Sequence, residues 1–168
     1  MKKIIIASMA LALIYACGDS NSNKTTETSG TTTEATTGTE APKTVEFTIN
    51  AVGNTMADMG YDTKEIKVKA GSSVKVNLTN QGTDASMLHN IVFVKQGTEK
   101  EVATEGINLK DQNYFNPQNV NVIAGSAVAA PGATVTVEFT APAEAGTYAY
   151  ICTYPGHWMK MQGIFIVE

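Results

Sequence analysis

Residues with versatile chemistry are scarce in this chain. Its 168 residues include two cysteines, two histidines and one tryptophan, and no arginine at all. With twelve lysines against sixteen acids and a net charge of −4, it offers no basic face for nucleic acid. It has no Gly-rich loop to cradle a phosphate and no internal repeat, which argues against a nucleotide-binding or solenoid architecture. The apolar run at residues 4–13 is too short to cross a bilayer as a helix.

What is present at the N-terminus reads as an address. Lys2 and Lys3 precede the short apolar run, as in a secretory signal peptide. The run ends in Ile14-Tyr15-Ala16-Cys17, similar to the bacterial lipobox, in which cleavage leaves a lipidated cysteine at the new terminus. The expectation is a signal peptide at 1–16 and lipidation at Cys17; the plainer alternative is ordinary cleavage near Ala16. Residues 18–43 carry nine threonines and almost nothing apolar, too little burial to offset the entropy of ordering. The segment 17–43 is therefore expected to be a flexible tether, its ends about 30 Å apart. Loss of the leader leaves ten lysines against sixteen acids. The remaining 125 residues, 44–168, suffice for one domain with a core that needs no disulfide, and it is expected to be monomeric.

Within that domain the apolar period is two: Val45-Phe47-Ile49, Ile66-Val68, Val74-Val76-Leu78, Ile91-Phe93, Val120-Val122, Val135-Val137-Phe139, Tyr148-Tyr150 and Ile164-Ile166. Turn signals at Ala70-Gly71, Asn80-Gln81-Gly82, Gly125, Pro131-Gly132 and Ala145-Gly146 separate these runs at the spacing of a β-sandwich. The predicted class is all-β, a sandwich of about eight strands. The rhythm breaks between residues 97 and 117, where Thr98-Glu99-Lys100-Glu101 reads as a capping box for a short helical insertion around 98–116.

The scarce residues fall together. Cys152 and His157 stand five apart in Cys152-Thr153-Tyr154-Pro155-Gly156-His157, Met161 follows four residues later, and His89 is the one remaining imidazole. A thiolate, two imidazoles and a thioether match the His₂Cys trigonal copper site with a weak axial Met. Taken singly, each has an ordinary reading: Cys152 as a buried small hydrophobe, Met161 as core filler, and a lone histidine as a satisfied polar group. A disulfide would need Cys17 free of lipid. The spacing favours one copper ion held by His89, Cys152, His157 and Met161.

These segments resemble the azurins and auracyanins, within the cupredoxins. The resemblance rests on Cys-Thr-Tyr-Pro-Gly-His with Met at the fourth position after it, on Met87-Leu88-His89-Asn90, and on Met56-Ala57-Asp58-Met59-Gly60-Tyr61-Asp62, in the same order as in azurin. It implies a Greek-key, cupredoxin-like sandwich with a helical flap and electron transfer through one copper ion cycling between Cu(I) and Cu(II). It implies that Asn90, with Thr153, ties the two ligand loops together. Tyr154, unlike a proline, keeps a backbone N–H, and this and the N–H of Asn90 are expected to donate to the Cys152 sulfur. Leu88 stands where the family usually has Gly, and its carbonyl is the candidate weak contact opposite Met161. The cysteine pair of the azurin disulfide is absent, so the first strand must be held by packing. Electrons are expected to leave by a solvent-facing edge of His157, set in an apolar docking patch of Met59, Met87, Tyr154, Pro155, Trp158 and Met159. Lys160 replaces an apolar residue of the family patch.

An anchored carrier of this kind suits redox partners such as cytochromes or a membrane oxidase or reductase, on the periplasmic side or at the cell surface of a bacterium. A periplasmic copper carrier or storage protein is the rival, drawing on the methionines. A copper enzyme would need further histidines for an open catalytic centre, and both are already spent. A copper-free adhesive sandwich is the remaining alternative.

Overall fold

The computed structural model describes residues 43–168. The signal peptide expected at 1–16, Cys17 and the expected tether as far as residue 42 lie outside the described residues. The strands are β1 (Val45–Val52), β2 (Gly60–Tyr61), β3 (Glu65–Val68), β4 (Ser73–Asn80), β5 (Val92–Lys95), β6 (Val122–Gly125), β7 (Thr134–Thr140), β8 (Gly146–Ile151) and β9 (Gln162–Val167). They form two sheets, ordered β2-β1-β4-β7 and β3-β9-β8-β5-β6. The chain crosses repeatedly from one sheet to the other, and β1 runs parallel to β4 and β3 parallel to β9.

Alternation in the sequence becomes alternation in burial. In β4, Val74, Val76, Leu78 and Asn80 point inward while the residues between them are partly open. The inner faces meet in one core that includes Ile49, Val74, Val76, Leu78, Phe93, Val137, Tyr150 and Phe165. Each fully buried aliphatic side chain there contributes on the order of 2 kcal/mol. β1 is held without a disulfide by a parallel ladder from Val45↔Val74 to Ala51↔Asn80.

β5 departs from simple alternation, since Val92, Phe93 and Val94 are all buried. Phe93 faces the main core, whereas Val92 and Val94, with Ala149 and Ile151 of β8, face a second cluster. That cluster lies under the insertion, which contains α1 (Glu99–Gly106) and a 3₁₀ turn (Lys110–Gln112). Val102 and Ala103 of α1 and Phe115 beyond it cover the outer sheet face. Glu99 and Glu101 complement the helix dipole at its start.

The expected sandwich of about eight strands is present, its alternating runs joined by a two-residue strand, Gly60–Tyr61, which pairs with the end of β1. Two expectations are corrected. Val120 belongs to no strand and is 79 % exposed; β6 starts at Val122. The capping box does not form: Thr98 Oγ1 donates backwards to the Lys95 carbonyl, and Glu101 accepts from Asn121 Nδ2.

Register decides what lies at each pole. Val92↔Ile151 and Ile151↔Gln162 bring the start of β5, the end of β8 and the start of β9 together. At the other pole, Ala70 N–H donates to the Glu168 carbonyl and Val45 pairs with Val74. The described chain therefore begins at the pole opposite the β8–β9 loop.

Candidate metal centre

Each of the scarce residues sits just off a strand end at one pole. Cys152 follows β8, Met161 precedes β9, and His89 lies three residues before β5. The loop 152–161 is closed on itself by Cys152 N–H to the Met161 carbonyl at 2.9 Å, Met161 N–H to the His157 carbonyl at 3.0 Å and His157 N–H to the Tyr154 carbonyl at 3.0 Å. His89 is fixed by an isolated bridge rather than a strand, exchanging backbone hydrogen bonds with Ala129 at 3.2 and 2.7 Å. Asn80 braces the approach to it: its buried Nδ2 donates to the carbonyls of Met87 and Ala129, at 2.7 and 3.1 Å.

His89, Cys152 and His157 are all buried and bring one donor atom each to a common point. Nδ1 of His89 and Nδ1 of His157 are 3.2 Å apart, and Cys152 Sγ lies 3.9 Å from the first and 3.8 Å from the second. The point equidistant from all three is about 2.1 Å from each, matching a metal–imidazole bond and close to a metal–thiolate bond. Soft sulfur with two imidazoles suits copper. His89 Nε2 is buried without a hydrogen-bond partner among the described residues.

Burial keeps all three donor groups uncharged in the metal-free protein. Burial, and then the neighbouring His157 ring, pulls the His89 pKa down to about 4, and burial lowers that of His157. Both imidazoles are thus neutral near pH 7, with lone pairs free to bind. Burial pushes the Cys152 thiol up to about 12, opposed by the backbone N–H groups of Asn90 and Tyr154. An N–H directed at the sulfur favours the thiolate.

Asn90 joins the loops. Its Oδ1 accepts the Thr153 N–H at 2.8 Å, and its Nδ2 donates to Thr153 Oγ1 at 2.8 Å and to the Asn113 carbonyl at 2.7 Å. Tyr61 adds a hydrogen bond from its hydroxyl to the Asn90 carbonyl. The sequence assigns no supporting role to Asn80, to Asn113 or to Tyr61, which stands within the Met56–Asp62 segment. Asn80 stood in a turn signal, and Asn113 is a residue type that tolerates the left-handed backbone it adopts, at φ 58°.

The docking patch is corrected in several places. Met59 and Met87 are buried, at 5 % and 6 % exposure, because Met59 is drawn into the main core and Met87 lies under the approach to His89. Trp158 is half-buried against the cluster beneath α1. His157 is only 2 % exposed, so its edge is not open to solvent as expected; the Tyr154 ring packs on it at 4.9 Å between centroids. Pro155, Tyr154 and Leu88 are half-buried. Met159 and Met56 are exposed, and Met56 reaches over Gly156. Lys160 Nζ donates to the Ala57 carbonyl at 3.1 Å, fastening the Met56 turn to the ligand loop. Met161 is fully buried.

A profile described as copper binding proteins, plastocyanin/azurin family, matches residues 47–168. The chain is 38 % identical over 130 residues to auracyanin-A of Chloroflexus aurantiacus, spanning 76 % of this chain and 75 % of that protein. It is 36 % identical over 111 residues to an azurin of Alcaligenes faecalis, spanning 62 % and 87 %. The solved structure of auracyanin A, described as a "blue" copper protein, superposes with a TM-score of 0.64 at 37 % identity, over 75 % of this chain and all of that one.

Proposed function

The chain belongs to the plastocyanin/azurin family of copper-binding proteins, and from that premise we propose that it is a lipid-tethered carrier shuttling single electrons between extracytoplasmic redox partners. It binds one copper ion and is an electron-transfer protein rather than an enzyme. When bound, the metal supplies a one-electron change between Cu(II) and Cu(I).

The observation that carries the reading is the convergence of two neutral imidazoles and one thiol on a point at bonding distance. His89, Cys152 and His157 would hold the copper, with the Met161 thioether as a weaker donor and the Leu88 carbonyl as a further weak contact. Complete burial of Met161, and the bond from Cys152 N–H to its carbonyl, support its place. Asn90 and Thr153 hold the two ligand segments in register, so the ligand set changes little between metal states. Burial of all three donors also argues against the copper carrier, which must release its ion to a partner's ligands.

Electrons leave past His157 to partners that dock on Pro155, Met159 and Met56, with Met59, Met87 and Trp158 supporting that surface from below. Exposed apolar side chains at this pole suit a small, quickly released contact. Cytochromes or a membrane oxidase or reductase fit as partners. Lipidation at Cys17 would tether the domain by the pole opposite the metal, leaving the docking surface pointing away from the tether root. Among the described residues no helix is long and apolar enough to cross a membrane.

The test is the visible and electron-spin spectrum of the protein with Cu(II). An intense visible band, bleached reversibly by reductant without copper loss, is expected. His157→Gly should lose it and regain it with added imidazole; a colourless wild type, or copper passing readily to an apo-acceptor, would overturn the reading. For the anchor, Cys17→Ser should move the protein from the membrane fraction to the soluble one.

A further inference from the structure

Two consecutive residues other than glycine hold left-handed backbone, Asn113 at φ 58° and Tyr114 at φ 63°, and no others do among the described residues. Asn tolerates this region, but for a bulky ring it is a strained conformation that persists only when its surroundings enforce it. The surroundings here are specific. Asn113 N–H donates to the Lys110 carbonyl at 3.1 Å and Tyr114 N–H to the Leu109 carbonyl at 2.9 Å, closing the turn on the 3₁₀ segment. Gly106 of α1 leaves room for the Tyr114 carbonyl, since a Cβ there would stand 2.0 Å from that oxygen. Asn113 Oδ1 accepts the Val128 N–H at 3.3 Å.

Both residues of the turn reach the metal pole. The Asn113 carbonyl takes the Nδ2 of Asn90, the residue that bonds to Thr153 beside Cys152. The Tyr114 ring meets the Tyr154 ring edge-on at 5.0 Å, and the Tyr154 ring in turn packs on His157 at 4.9 Å. We infer that the strained Asn113-Tyr114 turn of the flap is a clamp on the metal loop, with Asn113 positioning Asn90 and Tyr114 positioning His157 through Tyr154. Tyr114 is a positioning residue that touches no ligand itself. The clamp keeps the His157 ring and the Thr153 backbone still while the metal changes charge, and its effect on electron transfer rests on the function proposed above.

The test uses the full chain and two substitutions, one that removes the ring together with the strain and one that keeps both. Tyr114→Gly removes the ring and places there a residue at ease with positive φ, whereas Tyr114→Phe keeps the ring and the strain. In metal-free protein, Tyr114→Gly should speed hydrogen exchange of the Thr153 amide about tenfold and broaden the His157 ring resonances, with β4 amides unchanged. Tyr114→Phe should match the wild type on both counts. Loaded with copper, Tyr114→Gly should slow electron self-exchange about tenfold, with Tyr114→Phe restoring it.

The clamp is overturned if Tyr114→Gly leaves Thr153 and His157 as in the wild type, if it speeds exchange uniformly through β4, or if Tyr114→Phe behaves like Tyr114→Gly. Should Tyr114→Gly not fold, Tyr154→Leu breaks the same contact from the other side and must loosen His157 in the same way, or the clamp is overturned. A wild type that takes up no colour would sink the proposed function, while the metal-free measurements would still judge the clamp.

Discussion

At the scale of single residues, the ligands were legible because the chain is so poor in their kinds. With two histidines and two cysteines, spacing singles out Cys152 and His157 and elimination leaves His89, and the structure places their donor atoms together. The supporting residues were harder to read. Asn80 and Tyr61 act through long-range contacts, and Asn113 through a backbone conformation that one sequence does not announce. Met59 and Met87 were misplaced because an apolar residue near a metal pole can face either the core or a partner, and only packing decides. Protonation yields one prediction. The metal-free thiol, raised to about 12, carries its proton at pH 7, while the imidazoles are neutral, each with one nitrogen already unprotonated. Copper uptake should then release about one proton per ion, read by titration in unbuffered solution. A second concerns Asn90, whose side chain makes three buried or part-buried hydrogen bonds. Asn90→Ala should lower metal-free stability by about 3 kcal/mol in thermal unfolding and shift the reduction potential.

At the scale of elements, period-two runs predicted the sandwich because one face of most strands is buried and the other is not. β5 carries three consecutive buried residues for a physical reason: the flap supplies a second apolar layer outside its sheet. The flap itself showed as a break in rhythm, and α1 lies within the expected stretch. The strand Gly60–Tyr61 could not be read, since two residues carry no period. Register also makes a demand on one glycine. Gly163 pairs with Tyr150, whose ring lies so close that a Cβ at 163 would stand 2.1 Å from its Cζ. Gly163→Ala must push that ring out of the core beside Phe93, and should cost about 1–3 kcal/mol in chemical denaturation. Since β8 leads directly into Cys152, the same substitution should disturb the metal site's spectrum.

At the scale of the whole molecule, two poles divide the labour: the described chain begins at one, and the donor atoms lie at the other. The fold class followed from patterning, whereas the leader and anchor rest on residues outside those described. Buried neutral histidines give the metal-free protein a characteristic acid sensitivity. His89 has a folded pKa of about 4, against about 6.5 when unfolded, so the unfolded chain binds protons first as pH falls. Stability from this source should be full above pH ~6.5 and decline as pH drops towards 4, and bound copper should oppose the loss by mass action. Thermal melts across that range, with and without copper, check both statements. The central claim is that one metal is shared by Cys152 Sγ and two imidazole nitrogens. X-ray absorption fine structure at the copper edge of the loaded protein measures this most directly. One sulfur and two nitrogens at about 2.0–2.3 Å are expected, with the sulfur lost in Cys152→Ser; a shell of nitrogen and oxygen alone in the wild type would contradict the account.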